Sequence, residues 1–117
     1  MHYPGLKSHP GHAVAARQQA GFGAMLSFEL ADIEAVRTLV DGLAVFTLAE
    51  SLGGVESLIA HPALMTHAAM TPEARATAGI SDGLLRLSVG LEHPEDLLAD
   101  LSAALAAVPV ARPAEAA

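Results

Sequence analysis

A short apolar strand is predicted at Leu84-Leu85-Arg86-Leu87-Ser88-Val89. Because side chains alternate along a strand, Leu85, Leu87 and Val89 lie on one face, and Arg86 shares the other with Leu84 and Ser88. A guanidinium in an apolar strand needs an anionic partner, and its planar fork matches a carboxylate. From these residues alone, two interpretations of Arg86 are equally favoured. In the first it binds a carboxylate ligand. In the second it has no ligand, and it lies on a solvated strand face or pairs with a nearby glutamate.

A helix is predicted directly after this strand. His93-Pro94-Glu95-Asp96 opens it, since proline and acidic residues favour the first turn of a helix. Apolar residues at helical spacing predict its buried stripe, which comprises Leu97, Leu98, Leu101, Leu105 and Val108.

Helices and strands also alternate before this strand. Ser8 is predicted to cap a helix that ends near Ala20, before Gly21. The pattern then predicts a strand over residues 25–30, whose apolar face carries Leu26, Phe28 and Leu30. Asp32 begins the next helix, which has apolar positions at Ile33, Val36, Leu39, Val40 and Leu43. A second strand is predicted over residues 43–49, and a loop with a short helix over residues 72–79.

This order predicts an α+β domain in which a small sheet is covered by helices on one face. Residues 1–108 form the domain, and the Ala/Pro/Glu-rich residues 109–117 are predicted to be a disordered tail. At 117 residues the chain has room for one core, which its 3% aromatic content restricts to aliphatic side chains and alanine.

Composition excludes several classes of function. A net charge of −7 leaves no basic patch for nucleic acid, and the absence of cysteine excludes disulfides and thiolate metal sites. The apolar runs are too short for a membrane span, and the first residues do not resemble a signal peptide, so a cytoplasmic location is expected.

Local motifs give weaker signals. Glu50-Ser51-Leu52-Gly53-Gly54 follows a predicted strand, and its amides can cradle an anion, although an ordinary Gly-Gly turn is the favoured interpretation. Ser51 lacks the Gly-x-Ser-x-Gly context of a hydrolase nucleophile. The histidines, among them His61 and His67, lack acidic or cysteine partners at ligand spacing, so surface and capping roles are favoured over a metal site.

Long blocks of the chain resemble one enzyme family. In chain order these blocks are Tyr3-Pro4-Gly5-Leu6, Ser8-His9-Pro10-Gly11-His12, Gly21-Phe22-Gly23-Ala24-Met25-Leu26-Ser27-Phe28, Leu48-Ala49-Glu50-Ser51-Leu52-Gly53-Gly54-Val55-Glu56-Ser57-Leu58, His61-Pro62-Ala63-Leu64-Met65-Thr66-His67, Gly79-Ile80-Ser81-Asp82 and Leu85-Arg86-Leu87-Ser88-Val89-Gly90-Leu91-Glu92. They resemble the C-terminal region of the pyridoxal-phosphate (PLP) dependent trans-sulfuration enzymes, which include the cystathionine synthases and lyases and the O-acyl-homoserine sulfhydrylases. Ala24 and Lys7 depart from the usual pattern.

The resemblance implies a fold and a set of site residues. The fold is that of the C-terminal domain of PLP type I, aspartate aminotransferase-like enzymes. Arg86 would bind the substrate α-carboxylate, and Ser51 would lie by the substrate and help to position the cofactor lysine. Glu50 would border the substrate side-chain pocket, and Thr66 would place a hydroxyl near it. Members of the family are homotetramers that act on amino acids by β/γ-elimination or γ-replacement.

One feature of the family is missing from this sequence. PLP is held by such enzymes as a Schiff base to a lysine, and Lys7, the only lysine here, does not match it. The resemblance therefore implies that the cofactor lysine lies in a large N-terminal domain or in a full-length paralogue, and that this chain alone is inactive and does not hold PLP covalently. A gene fragment, a truncation and a separate subunit all remain open. So does a non-catalytic pseudo-subunit or regulatory domain.

Overall fold

The computed structural model describes residues 1–110, so most of the tail predicted at residues 109–117 lies outside it. The described chain is an α+β unit, as predicted. Its elements, in chain order, are α1 (His12–Gln18), β1 (Met25–Glu29), α2 (Ile33–Gly42), β2 (Thr47–Leu48), β3 (Leu58–Ala60), α3 (Pro72–Thr77), β4 (Leu84–Ser88) and α4 (Pro94–Ala107).

The four strands form one mixed sheet in the order β1-β4-β3-β2. β4 pairs antiparallel with β1 and with β3, and β2 pairs parallel with β3. The outer edge of β1 carries an antiparallel bridge between Ser27 and His2, so the first residues of the chain are tied to the sheet. The strand predicted around Arg86 is therefore an inner strand, bonded on both sides.

The core lies on one face of the sheet. Leu85 and Leu87 of β4 point to the same face as Ile59 of β3, and all three are at most 2% exposed. Val36 and Leu39 of α2 and Leu97 and Ala104 of α4 cover them. The predicted apolar face of β1 is confirmed, because Leu26, Phe28 and Leu30 pack against this cluster. α1 and α3 contribute no residue to it.

The predicted stripe of α4 is only partly correct. Leu97 is buried and Leu101 and Val108 pack against the core, but Leu98 is 64% exposed and Leu105 43% exposed. The prediction was wrong at these two leucines because the face that meets α2 and the sheet also carries Asp100 and Ala104. A polar residue in that face was not expected from the apolar pattern.

Asp100 explains a second difference. Its carboxylate accepts hydrogen bonds from the backbone N–H groups of Ala44 (2.7 Å), Val45 (2.9 Å) and Phe46 (3.0 Å). These amides are thereby withdrawn from strand pairing, so the strand predicted over residues 43–49 contracts to Thr47–Leu48. Burial acts to raise the pKa of Asp100, but the three N–H donors outweigh it and the pKa is lowered.

Two further boundaries differ from the prediction. α1 begins at His12 rather than after Ser8, because residues 4–11 form successive turns with bonds such as His9 N–H to Leu6 O (2.9 Å). β3 was not predicted, although its three residues are fully buried. By contrast, Asp32 caps α2 through the Ala35 N–H, as expected. No helix within residues 1–110 is long and apolar enough to span a membrane.

Candidate functional site

Arg86 lies on the face of the sheet opposite to α2 and α4. Its direct neighbours across the sheet are Ser27 of β1 and Ala60 of β3. Directly opposed residues of an antiparallel pair project to the same face, so two small side chains flank the arginine. Arg86 itself is half-buried, so part of its side chain is accessible from this face.

The guanidinium of Arg86 points towards the turn that follows β2. Its Nη2 lies 3.4 Å from the carbonyl oxygen of Glu50 and 3.3 Å from that of Ser51. Both contacts are long for hydrogen bonds and are therefore weak. Within residues 1–110 no carboxylate lies within 4 Å of this guanidinium, and its other N–H groups donate no hydrogen bond. In the described chain, then, Arg86 is not paired with a nearby glutamate.

Glu50 and Ser51 are brought to Arg86 by the parallel pairing of β2 and β3. The bond from Ala49 N–H to Ile59 O (3.0 Å) holds the chain on the sheet up to the residue before Glu50. Both side chains are exposed, and neither forms a hydrogen bond with another residue between 1 and 110. The structure thus joins Arg86, Glu50 and Ser51, although the observed contact is made by backbone carbonyls and not by the two side chains.

The glycine turn is closed against β4. Gly53 has a φ of +75°, which favours glycine, and its N–H donates to the Ser88 Oγ at 2.8 Å. That amide is used inside the protein, so the turn of the described chain does not present it to an anion.

Sequence reasoning missed the residues that hold the end of the loop formed by residues 50–57. Ser57 is fully buried, and the carboxylate of Glu92 accepts from its N–H and its Oγ–H, each at 2.7 Å. The two bonds from Ser57 lower the pKa of Glu92. Ser57 Oγ also accepts from the Gly90 N–H at 2.8 Å. Glu92 and Ser57 are 35 residues apart, so no local pattern links them. The one sequence signal is that each lies in a block that resembles the enzyme family.

Thr66 is not brought into contact with this group. It lies in the turns after β3, is exposed, and its Oγ1 is 2.7 Å from the ring Nδ1 of His67. No hydrogen bond within the described residues joins it to Arg86, Glu50 or Ser51.

The histidines do not assemble a metal site in the described part of the chain. His61 is buried, and its Nε2 lies 2.8 Å from the Asp82 carbonyl oxygen. Residues 1–110 contain no group of three His, Asp or Glu side chains that could hold a metal ion. A cavity of about 510 Å³ lies elsewhere, between Glu29, Arg75 and Asp82, and Arg86 is not among its lining residues.

Lys7 is a poor fit for covalent attachment of a carbonyl cofactor. It is exposed and lies in the turns that precede α1. A lysine that forms a Schiff base is generally desolvated or placed beside another cation. As the chain has no other lysine, its residues do not fit a covalently held PLP.

Arg86 has no carboxylate partner within residues 1–110, and its planar fork matches the two oxygens of a carboxylate ligand. Residues 1–106 match the Cys/Met metabolism PLP-dependent enzymes, and the chain belongs to this PLP-dependent family. It is 64% identical over 102 residues to cystathionine gamma-synthase of Escherichia coli K12, covering 86% of this chain and 26% of that protein. It is 60% identical over 105 residues to cystathionine beta-lyase of Lactococcus lactis subsp. cremoris MG1363, covering 90% and 28%.

A solved structure agrees with the fold. The crystal structure of cystathionine gamma synthase from Xanthomonas oryzae pv. oryzae in complex with cystathionine superposes with a TM-score of 0.86 at 75% identity. It matches 91% of this chain and 28% of the other. The chain therefore spans about a quarter of the length of the relatives it matches.

Proposed function

We propose that this chain is the C-terminal, substrate-carboxylate-binding part of a PLP-dependent trans-sulfuration enzyme. The reaction is β/γ-elimination or γ-replacement on cystathionine, O-acyl-homoserine or methionine-like amino acids. One observation carries the proposal. Arg86, on an inner strand between the small residues Ser27 and Ala60, has no carboxylate partner within residues 1–110.

Arg86 orients the substrate in this proposal. Two parallel N–H groups of the guanidinium bind both oxygens of the α-carboxylate, which fixes the position of the amino acid as well as its charge. The long contacts to the carbonyls of Glu50 and Ser51 are weak enough to be exchanged for a charged ligand.

The neighbouring side chains have separate roles. Ser51 lies beside the substrate and helps to position the lysine amine, and Glu50 borders the distal part of the substrate, where it affects the choice between substrates. Thr66 belongs to the same pocket by family likeness only. PLP supplies an electron sink when it is bound, and the large N-terminal domain or a full-length paralogue holds it. The family likeness also makes the assembly a homotetramer.

A second candidate is a non-catalytic pseudo-subunit or regulatory domain that docks on a full-length paralogue. The exposed position of Lys7, the single lysine, favours it. The DNA upstream of the Met1 codon separates the two. An in-frame extension that encodes a cofactor lysine supports the enzyme, and a strong ribosome-binding site at Met1 supports the separate domain.

A chimera tests the proposed function directly. Residues 1–106 replace the matching segment of the Escherichia coli cystathionine gamma-synthase, which is 64% identical, and kcat/KM is measured with an O-acyl-homoserine and cysteine. Arg86→Lys keeps the charge but not the fork, so we expect kcat/KM to fall by roughly 30- to 1000-fold, from ~2–4 kcal/mol of lost charged contact. A misplaced Cα–H also reacts slowly, so kcat falls as KM rises.

The matched control is Arg37→Lys on α2. Arg37 is exposed and bonds Glu34 at 2.7 Å, and we expect the chimera to retain its kcat/KM after this change. An active chimera in which Arg86→Lys is kinetically silent would refute the assignment.

A further inference from the structure

β4 and the residues that follow it contact the loop over residues 50–57 at several positions between residues 86 and 92. We name this loop the substrate loop, and the name rests on the proposed function. The contacts run from Arg86 to the Glu50 and Ser51 carbonyls, from Ser88 to the Gly53 N–H, from Gly90 to Ser57, and from Glu92 to Ser57. The same segment, β4 and the residues that follow it, therefore carries Arg86 and also holds the loop towards which the Arg86 side chain points.

The strength of these contacts is uneven. At the Arg86 end the two N···O distances are 3.3 and 3.4 Å. At the other end both oxygens of Glu92 bond Ser57 at 2.7 Å, the length of a charge-assisted hydrogen bond. The Glu92 end is therefore the more tightly held end of the substrate loop, whereas the Arg86 backbone is held by its two neighbouring strands and only its guanidinium contacts the loop.

Gly90 shows how closely the loop is held. A Cβ placed on Gly90 would lie 2.7 Å from the backbone nitrogen of Ser57 and would also collide with the Val55 carbonyl oxygen. Leu91 N–H donates to that same oxygen at 2.8 Å. Backbone packs on backbone at Gly90. A change at the contact between Glu92 and Ser57 is therefore passed to the loop and is not absorbed by a flexible side chain.

We propose that Glu92 is a positioning residue for the carboxylate site: by holding Ser57 it fixes the substrate loop, and through the loop it fixes the guanidinium of Arg86. Glu92 touches no substrate in this scheme. It acts through Ser57, and its role is to keep the Glu50 and Ser51 carbonyls at the distance from Arg86 that leaves the guanidinium fork open to a ligand.

The test uses ligand-free NMR of the full 117-residue chain. Two signals are followed in Glu92→Ala: the Nε–Hε resonance of Arg86 and the hydrogen exchange of the Ser57 amide. We expect the Ser57 amide to exchange at least about tenfold faster and the Arg86 resonance to move, while the amide of Leu87 in the core of β4 keeps its rate.

The matched control is Glu95→Ala, which removes an exposed carboxylate three residues away and changes net charge equally. It should leave both signals unmoved. Glu92→Gln, which keeps one acceptor oxygen for Ser57, should give smaller changes of the same sign, and it replaces the alanine variant if that variant does not fold.

Two outcomes overturn the proposal. In the first, the Ser57 amide exchanges faster but the Arg86 resonance stays where it is in Glu95→Ala. The contact between Glu92 and Ser57 then has no effect on the arginine. In the second, neither signal changes. A separate titration of the wild type with L-cystathionine addresses the proposed function. If L-cystathionine does not shift the Arg86 resonance, this result counts against carboxylate binding. The comparison of ligand-free variants still decides the role of Glu92.

Discussion

Replacing Asp100 by asparagine should destabilise the chain far more than a change of one atom suggests. Asp100 is 8% exposed, and its carboxylate accepts three backbone N–H groups between Ala44 and Phe46. Asparagine offers one acceptor oxygen, and its NH2 group then faces N–H donors. Hydrogen bonds to a charged group contribute ~1.5–3 kcal/mol each, and an unsatisfied buried amide costs ~1–3 kcal/mol. Allowing for non-additivity, we expect a loss of about 3–5 kcal/mol.

The assay is urea unfolding for the free energy and thermal unfolding for Tm, both followed by circular dichroism at pH 7. A loss of this size is a large share of the ~5–15 kcal/mol that stabilises a typical domain, and it should lower Tm by roughly 12–20 °C. Asp41→Asn is the control, because Asp41 is exposed at the end of α2, and its loss should change stability by less than about 0.5 kcal/mol. If Asp100→Asn costs under about 1 kcal/mol, the carboxylate does not hold residues 44–46 as described.

Other changes follow from the same structure. The pKa of Asp100 is lowered in the folded chain, so its contribution to the free energy of unfolding is present above the unfolded value of 3.8 and is lost as pH falls through the lower folded value. Acid titration of the wild type should therefore show a loss of stability that Asp100→Asn lacks. Gly83→Ala should destabilise by about 1–3 kcal/mol in urea unfolding, because its Cβ would lie 3.0 Å from the carbonyl carbon of Leu30; a wild-type midpoint would contradict the packing. The Ala-rich first helix and the strands were predicted to pack on a missing domain, and the described chain exposes Val14 of α1, Leu48 of β2 and several other large apolar side chains, so we expect it to associate in light scattering; a monodisperse monomer at high concentration argues against this. PLP mixed with the chain should give no stoichiometric visible band, and borohydride trapping on Lys7 would disprove that expectation.

The sequence predicted the elements whose signals are local. Alternation placed Arg86 and Leu87 on opposite faces of β4, and the structure agrees. The cap at Asp32 and the helix opened by Pro94 were also foreseen, since a capping side chain and an N-terminal proline act within one turn.

The features that were missed depend on distant partners. Asp100 accepts from residues 54 to 56 positions away, and Glu92 from one 35 positions away, so no local pattern marks either. β3 is three residues long and gains its stability from pairing on both sides. Leu98 repeats at helical spacing, yet the buried face of α4 was decided by where α2 lies.

Carboxylate binding by Arg86 can be observed directly in a crystal structure of the chimera with cystathionine bound. We expect two guanidinium nitrogens of Arg86 to lie about 2.7–2.9 Å from the two oxygens of an α-carboxylate, with the contacts to Glu50 and Ser51 loosened. A substrate whose carboxylate is bound elsewhere, with Arg86 still directed at the Glu50 and Ser51 carbonyls, would contradict it.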